Sequence, residues 1–276
     1  WQVVVALLAL AVGIPHGALD HLVTLPRSST KKMAIFILIY VAVAVLAVVA
    51  LLTWNVAGFI FVVVMSAVHF GIGDAAFISE IDRRSVEPKK FAKYLYASAA
   101  GTLPVVIPLV NEKSTSALEK VNPVLVNWHH GLNYDLQLWV MILTAVALLR
   151  LVQKRRESDA LDLMLLYLLA VTAPPLVAFA VYFGCWHAMR HTARLTLSLP
   201  SSQAAFAEGS ARGAFIKAVL PGTPALIGTF LIAALIVLLR GDSLDDQFLW
   251  VCLVVVWALT VPHMAVTARL DRKALN

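Results

Sequence analysis

The sequence predicts an all-α, polytopic membrane bundle of about eight transmembrane helices, and two observations carry that expectation. The 276 residues are 61% apolar and only 14% charged, with a mean hydropathy of +0.84, far from the composition of a water-soluble domain. That fraction amounts to about 168 apolar residues, and a helical span needs roughly 20. Backbone N–H and C=O groups find no water in the hydrocarbon core, and the apolar runs lack the alternation of a membrane barrel, so the spans are helical.

In chain order, the uncharged apolar stretches run Trp1–Leu25, Met33–Thr53, Val56–Ile78, Phe91–Val110, Leu136–Leu149, Leu161 to about His191, Val219–Leu239 and Phe248–Ala268. No repeat, heptad seam or low-complexity tract interrupts them, so residues 1–276 read as one transmembrane domain. No cleavable signal peptide is visible. Opening on Trp1 without an initiator Met is consistent with trimming, and the first apolar run is long enough to span. The 22 basic and 16 acidic residues give a net charge of +6, which here sets topology and does not imply nucleic acid.

The short loops Pro26–Lys32, Glu80–Lys93 and Arg150–Ala160 are the basic ones and fall on one side if spans alternate. The weakly charged turn Thr53–Val56 and long loop Asn111–Asp135 then lie outside with the N-terminus. Arg269, Arg272 and Lys273 conflict with this count, because it places them outside too. Either a late span is miscounted or the Ser198–Lys217 region is more than an exposed loop. Trp1, Trp54, Trp128 and Trp139 read as interface-belt residues. Cys185 and Cys252 lack disulfide or metal spacing and read as core filler.

Ionisable groups inside spans are costly and mark function. Six of the eight histidines qualify: His16, His21, His69, His187, His191 and His263. His187 and His191 are spaced i, i+4, so both imidazoles share a helix face and can chelate one metal, or can simply meet water at a helix end. In Gly13-Ile14-Pro15-His16-Gly17-Ala18-Leu19-Asp20-His21, Pro15 and Gly17 loosen the helix around His16. Asp20 at i+4 is within reach as an acceptor that fixes the tautomer of a ligating imidazole. His21 reads as interfacial. His69 repeats the pattern, followed by Gly71, Gly73 and Asp74. Asp74 either supports a ligand or caps the span. His263, after Pro262, is open to three readings: a ligand, a supporting group or a structural bridge. Several imidazoles with few intramembrane carboxylates suit iron, zinc or copper. Pro174-Pro175 is expected to kink the sixth span and bring His187 and His191 to depth.

Absent motifs narrow the class. No His-Glu-x-x-His, glycine-rich phosphate loop or Gly-x-Ser-x-Gly elbow occurs. The histidine boxes of a di-iron desaturase are also missing, as His129-His130 stands alone in the long loop. Remaining readings are a metal-dependent enzyme, a bis-histidine haem protein, and a proton-coupled transporter using His16 and Asp20.

Pro15-His16-Gly17-Ala18-Leu19-Asp20, His69-Phe70-Gly71 with Asp74, Pro174-Pro175 with His187 through His191, and Val261-Pro262-His263-Met264 together resemble the bacteriorhodopsin-related-protein/Blh family of integral-membrane β-carotene 15,15′-dioxygenases. The resemblance runs from first span to last. It implies one non-haem Fe(2+) held by His16, His69, His187 and His191, and cleavage of the central double bond of β-carotene by O2 to two retinal molecules. Asp20, Asp74 and His263 then stand behind the ligands. The resemblance also implies a bacterial or archaeal cell membrane and a retinal-binding rhodopsin as downstream partner, with a non-catalytic carotenoid or retinal carrier as the alternative to an enzyme. Phe70, Phe77, Tyr182, Phe183, Trp186 and Trp257 are candidates to line an apolar tunnel for the substrate, against the reading that they are packing residues.

Overall fold

The computed structural model describes residues 1–20, 29–86 and 90–276. His21 and Arg27, and with them part of the first basic loop, lie outside the described residues, as does Lys89. Among the described residues the regular structure is helical: α1 (Gln2–Gly17), α2 (Thr30–Thr53), α3 (Asn55–Asp82), α4 (Lys93–Val110), α5 (Ser114–Val121), α6 (Asn133–Gln153), α7 (Glu157–Thr172), α8 (Pro175–Ala180), a π-helical turn (Val181–His187), α9 (Ala188–Thr196), α10 (Pro200–Ala207), α11 (Ala211–Val219), α12 (Thr223–Arg240) and α13 (Leu244–Leu275), with short 3-10 turns at Pro123–Leu125 and Leu220–Gly222.

Six segments of 18 residues or more are apolar enough to cross a membrane: Thr30–Thr53, Asn55–Asp82, Lys93–Val110, Asn133–Gln153, Ala211–Leu239 and Leu244–Leu275. They coincide with six of the eight stretches expected from sequence. The other two differ in form. The first is a 16-residue helix, α1, in the described part of its stretch. The stretch from Leu161 to His191 is divided at Ala173-Pro174. Pro174 is extended at φ −58°, ψ 145°, and Pro175 starts α8 at its first turn, so the prolines separate two helices where a kink in one was expected. Large side chains such as Leu38 and Leu46, both 70% exposed, and Leu231, 65% exposed, stand on helix faces whose natural solvent is lipid.

The chain divides into two compact units. The first comprises Trp1–Ala6, Val56–Tyr182 and Leu270–Asn276. Its α4 packs against α6, α7 and α8. Helices α3 and α4 approach backbone to backbone at Gly71 and Gly101, where a Cβ on Gly71 would stand 1.9 Å from the Ala97 carbonyl oxygen. Small residues give such close helix contacts in membranes. At one end of the unit, the Arg156 guanidinium pairs with Asp82 at 2.8 Å and Asp159 at 2.6 Å and lies 4.4 Å over the Phe91 ring. Burial opposes the Arg156 charge, and the two carboxylates outweigh it, raising its pKa above the ordinary value.

The same unit resolves the charge conflict at the C-terminus. Arg83 donates to the carbonyls of Lys273, at 2.9 Å, and Ala274, and Lys93 donates to that of Leu275. These cations cap the unsatisfied carbonyls of the last turn of α13. Lys273 therefore lies with the basic Glu80–Lys93 loop, not opposite it. The outward placement rested on a simple alternation of eight spans, and the stretch from Leu161 to His191 is instead divided into two helices.

The second unit comprises Leu7–Asn55 and Phe183–Arg269. Helix α11 packs on α9 and α10, and Leu19, Leu195, Leu199 and Ala218 form a small buried core. Ser198–Lys217 is thus a packed pair of short helices. A Cβ on Gly222 would come within 2.3 Å of the Pro15 carbonyl oxygen, so α1 meets the start of α12 without intervening side chains.

Two smaller expectations need correction. Trp1, Trp54 and Trp139 are exposed, but Trp128 is 5% exposed, donates its indole N–H to the Leu109 carbonyl at 3.2 Å and meets Phe59 edge to face. It is a packing residue of the loop, not part of an interface belt. Cys252 is buried as expected of core filler, whereas Cys185 is exposed.

Candidate metal centre

Within the second unit, four histidines meet. His16 comes from the end of α1, His187 closes the π-helical turn, His191 lies on α9 and His263 on α13. Each is at most 6% exposed. The His16 ring centroid lies 5.6 Å from that of His187, 5.1 Å from His191 and 5.5 Å from His263, and His191 lies 5.5 Å from His263. His187 and His191 stack at 6.3 Å with planes 24° apart, which places the i, i+4 pair on one face as the spacing requires.

Local geometry explains how an apolar sequence holds these groups. A π-helical turn adds one residue to the turn and often marks functional sites. Here it ends on His187, so the extra residue sets where that side chain leaves the helix. Gly184 within it lets α1 approach, since a Cβ there would stand 3.3 Å from Ala9. Gly13 accommodates the Phe183 ring, and Phe183 meets His16 edge-on at 5.9 Å.

The hydrogen bonds also fix chemistry. Nδ1 of His16 contacts the Gly13 carbonyl. A carbonyl only accepts, so Nδ1 carries the proton and Nε2 presents a lone pair. Asp20 was expected to serve His16, but its carboxylate instead lies 2.8 and 2.9 Å from Nδ1 of His263. Nδ1 of His16 is already committed to a carbonyl of its own helix. Tyr40 on α2 donates to Asp20 at 3.1 Å and stands 3.2 Å from the Leu259 carbonyl.

Among the described residues, no three His, Cys, Asp or Glu side chains stand close enough together to hold a metal ion as they are placed. The fit to one rests on donor chemistry. The cluster offers several buried imidazoles, a set suited to iron, zinc or copper, and an outer carboxylate on one ring nitrogen is the arrangement that orients ligating histidines.

The remaining candidates lie elsewhere. His69 and Asp74 are in the first unit, 4% and 0% exposed. Phe70 meets the Tyr182 ring at 5.3 Å and His69 at 5.7 Å, and Tyr182 donates to Asp74 at 3.3 Å. Of the candidate tunnel residues, Phe183 is brought to the second-unit cluster, Trp186 lies under Arg190 at 4.1 Å, Trp257 meets Trp250 at 5.9 Å, and Phe77 is half-buried on α3. His129 sits beside Trp128, where its Nδ1 accepts from the Gly131 N–H at 3.2 Å. Tyr40 was not singled out from sequence, since one tyrosine in an apolar helix carries no local signal; only tertiary placement pairs it with Asp20.

A model of the β-carotene 15,15′-dioxygenase family matches residues 7–271. The chain is 26% identical to a probable β-carotene 15,15′-dioxygenase, Blh, of Halobacterium salinarum, over 96% of this chain and 82% of that protein. It is also 26% identical to a β-carotene 15,15′-dioxygenase from an uncultured marine bacterium, over 67% of this chain and 66% of that one. No solved structure gives a significant match. The family match spans the His16, His69, His187, His191 and His263 motifs alike, and the chain belongs to the β-carotene 15,15′-dioxygenase family.

Proposed function

We propose that this chain cleaves the central 15,15′ double bond of β-carotene with O2, giving two retinal molecules, at a non-haem iron centre within the membrane. The observation that carries the proposal is the buried imidazole cluster of His16, His187 and His191 in a chain of this family. The resemblance adds His69 as a fourth ligand, and the metal content of a His69 variant tests that addition.

Iron held by neutral imidazoles would supply a site for O2 beside the alkene. The reaction balances without a further reductant. One carbon–carbon double bond breaks, each half gains one oxygen atom, and the electrons come from the polyene. The Gly13 carbonyl holds the His16 proton on Nδ1, which leaves Nε2 with a lone pair to offer a metal. Phe183 places an apolar edge beside His16, as a hydrocarbon substrate requires. That substrate dissolves in lipid, which explains why the enzyme is built from membrane helices. Where the chain is cut then depends on how far an end of the polyene can pass the imidazoles. Retinal would leave for a retinal-binding protein such as a rhodopsin.

Expression in β-carotene-accumulating bacteria tests this reading. Loss of orange colour with retinal detected by chromatography is expected. Persistent colour and no retinal, with folded protein verified, rejects it. The absorption spectrum separates the haem alternative: a strong Soret band in purified protein would favour haem.

A further inference from the structure

We infer that His263 is a metal-facing member of the centre, held in its ligating tautomer by Asp20, with Tyr40 positioning the carboxylate. This deepens the iron reading and rests on it.

The geometry is specific. Both Asp20 oxygens lie within 2.9 Å of Nδ1 of His263, and an ionised carboxylate has no proton to give. Nδ1 is therefore the donor. In a neutral imidazole the other nitrogen, Nε2, then carries a lone pair and acts as an acceptor or a metal ligand. The ring lies 5.5 Å from both His16 and His191. Ionisable residues among apolar helices are costly and rare, pair with one another as these two do, and mark functional sites.

Asp20 is itself held. Tyr40 donates to the oxygen that also faces His263. The chain of contacts thus runs from α2, through the residues that follow α1, to α13, and its inner end is the imidazole cluster. Asp20 belongs to His263 where sequence spacing had linked it to His16.

The competing arrangement is an Asp20–His263 ion pair with both ring nitrogens protonated. It would direct an N–H at the cluster and exclude a metal from that ring. Metal binding separates the two, with no reliance on turnover.

The test uses full-length protein in detergent, loaded with Fe(2+) or with Co(2+) as a spectroscopic substitute. His263→Ala is expected to lower metal affinity and alter the Co(2+) d–d absorption, and added imidazole is expected to restore both. Asp20→Asn is expected to weaken metal binding by about 10 to 100-fold, the range for loss of a carboxylate behind a ligating histidine, with Asp20→Glu recovering part of it. Tyr40→Phe is expected to give a smaller loss in the same direction. If His263→Ala does not fold, Asp20→Asn and Tyr40→Phe decide. Unchanged affinity and spectrum in the folded variants overturns the inference while leaving the iron reading intact, provided that His16→Ala loses the metal. A wild-type protein that binds neither ion overturns both.

Discussion

His16 and His191 meet with ring centroids 5.1 Å apart and planes at 61°, although one comes from the first helix and the other from a helix beyond the π turn. Two buried imidazoles this close are tolerable when both are neutral, and bringing them together is most useful when something positively charged lies between them. Ala substitution of His16, His187 or His191 is expected to remove iron and retinal formation while leaving the helical circular dichroism unchanged. His129→Ala, in the loop beside Trp128, is expected to keep iron. Full metal occupancy in any of the first three variants removes that residue from the ligand set, and His69→Ala is judged by the same measurement.

Much of this was legible in the sequence, for reasons that differ by residue. The helical spans follow from hydropathy, because lipid leaves the backbone no alternative. His187 and His191 could be paired from their i, i+4 spacing, since a helix fixes that geometry locally. Asp20 could not be assigned. At i+4 from His16 it looked like that residue's partner, but a backbone carbonyl only three residues away satisfies His16 first, and Asp20 turns to a histidine at the other end of the chain. Pro174-Pro175 announced a disturbance without saying whether it bends one helix or divides two. The destination of the C-terminal cations was likewise hidden, since Arg83 and Lys93 reach the last carbonyls of α13 only in the folded state.

Asp74 and Tyr182 form the corresponding test in the first unit. Their 3.3 Å hydrogen bond is fully buried, and removing one partner leaves the other desolvated. Asp74→Leu and Tyr182→Phe are each expected to lower thermal stability, by about 1 to 3 kcal/mol. Because both remove the same contact, the double variant should cost less than the sum. Strict additivity in a double-mutant cycle would show that the two act separately.

Gly71→Ala and Gly101→Ala address helix packing. A Cβ at either position would meet a backbone carbonyl oxygen at 1.9 Å, and backbone cannot rotate away as a side chain can. Each substitution is expected to cost about 3 kcal/mol, the upper end for overpacking, seen as a lower melting temperature in detergent. Gly228→Ala is the control, because its Cβ would meet nothing within 4 Å. Equal melting temperatures for all three variants would contradict the close α3–α4 contact.

Arg156→Met removes the cation shared by Asp82 and Asp159. The Arg156 side chain is 3% exposed, but those of Asp82 and Asp159 are 24% and 17% exposed, so water recovers part of the lost solvation. A loss of about 2 kcal/mol is expected, below the cost of breaking a fully buried pair. Asp82→Asn should cost less, since Asp159 still pairs with the arginine. Metal content should be unaffected by either change. A variant that folds normally but loses iron would link this ion-pair cluster to the centre.

Phe183 offers a test of where the substrate is cut. Its ring meets His16 edge-on at 5.9 Å and occupies the space that a Cβ on Gly13 would enter, at 2.0 Å. Phe183→Ala opens room on one side of His16 without touching a nitrogen donor, so iron binding should persist. If that space guides the polyene, the centre will no longer be reached only by the middle of the chain, and retinal will be accompanied by aldehydes of unequal length. Gly13→Ala acts in the opposite sense: it forces the ring aside and is expected to slow turnover more than it changes the products. Both outcomes are read by chromatography of the aldehydes against measured iron. Retinal as sole product at wild-type rate in both variants would assign Phe183 to packing.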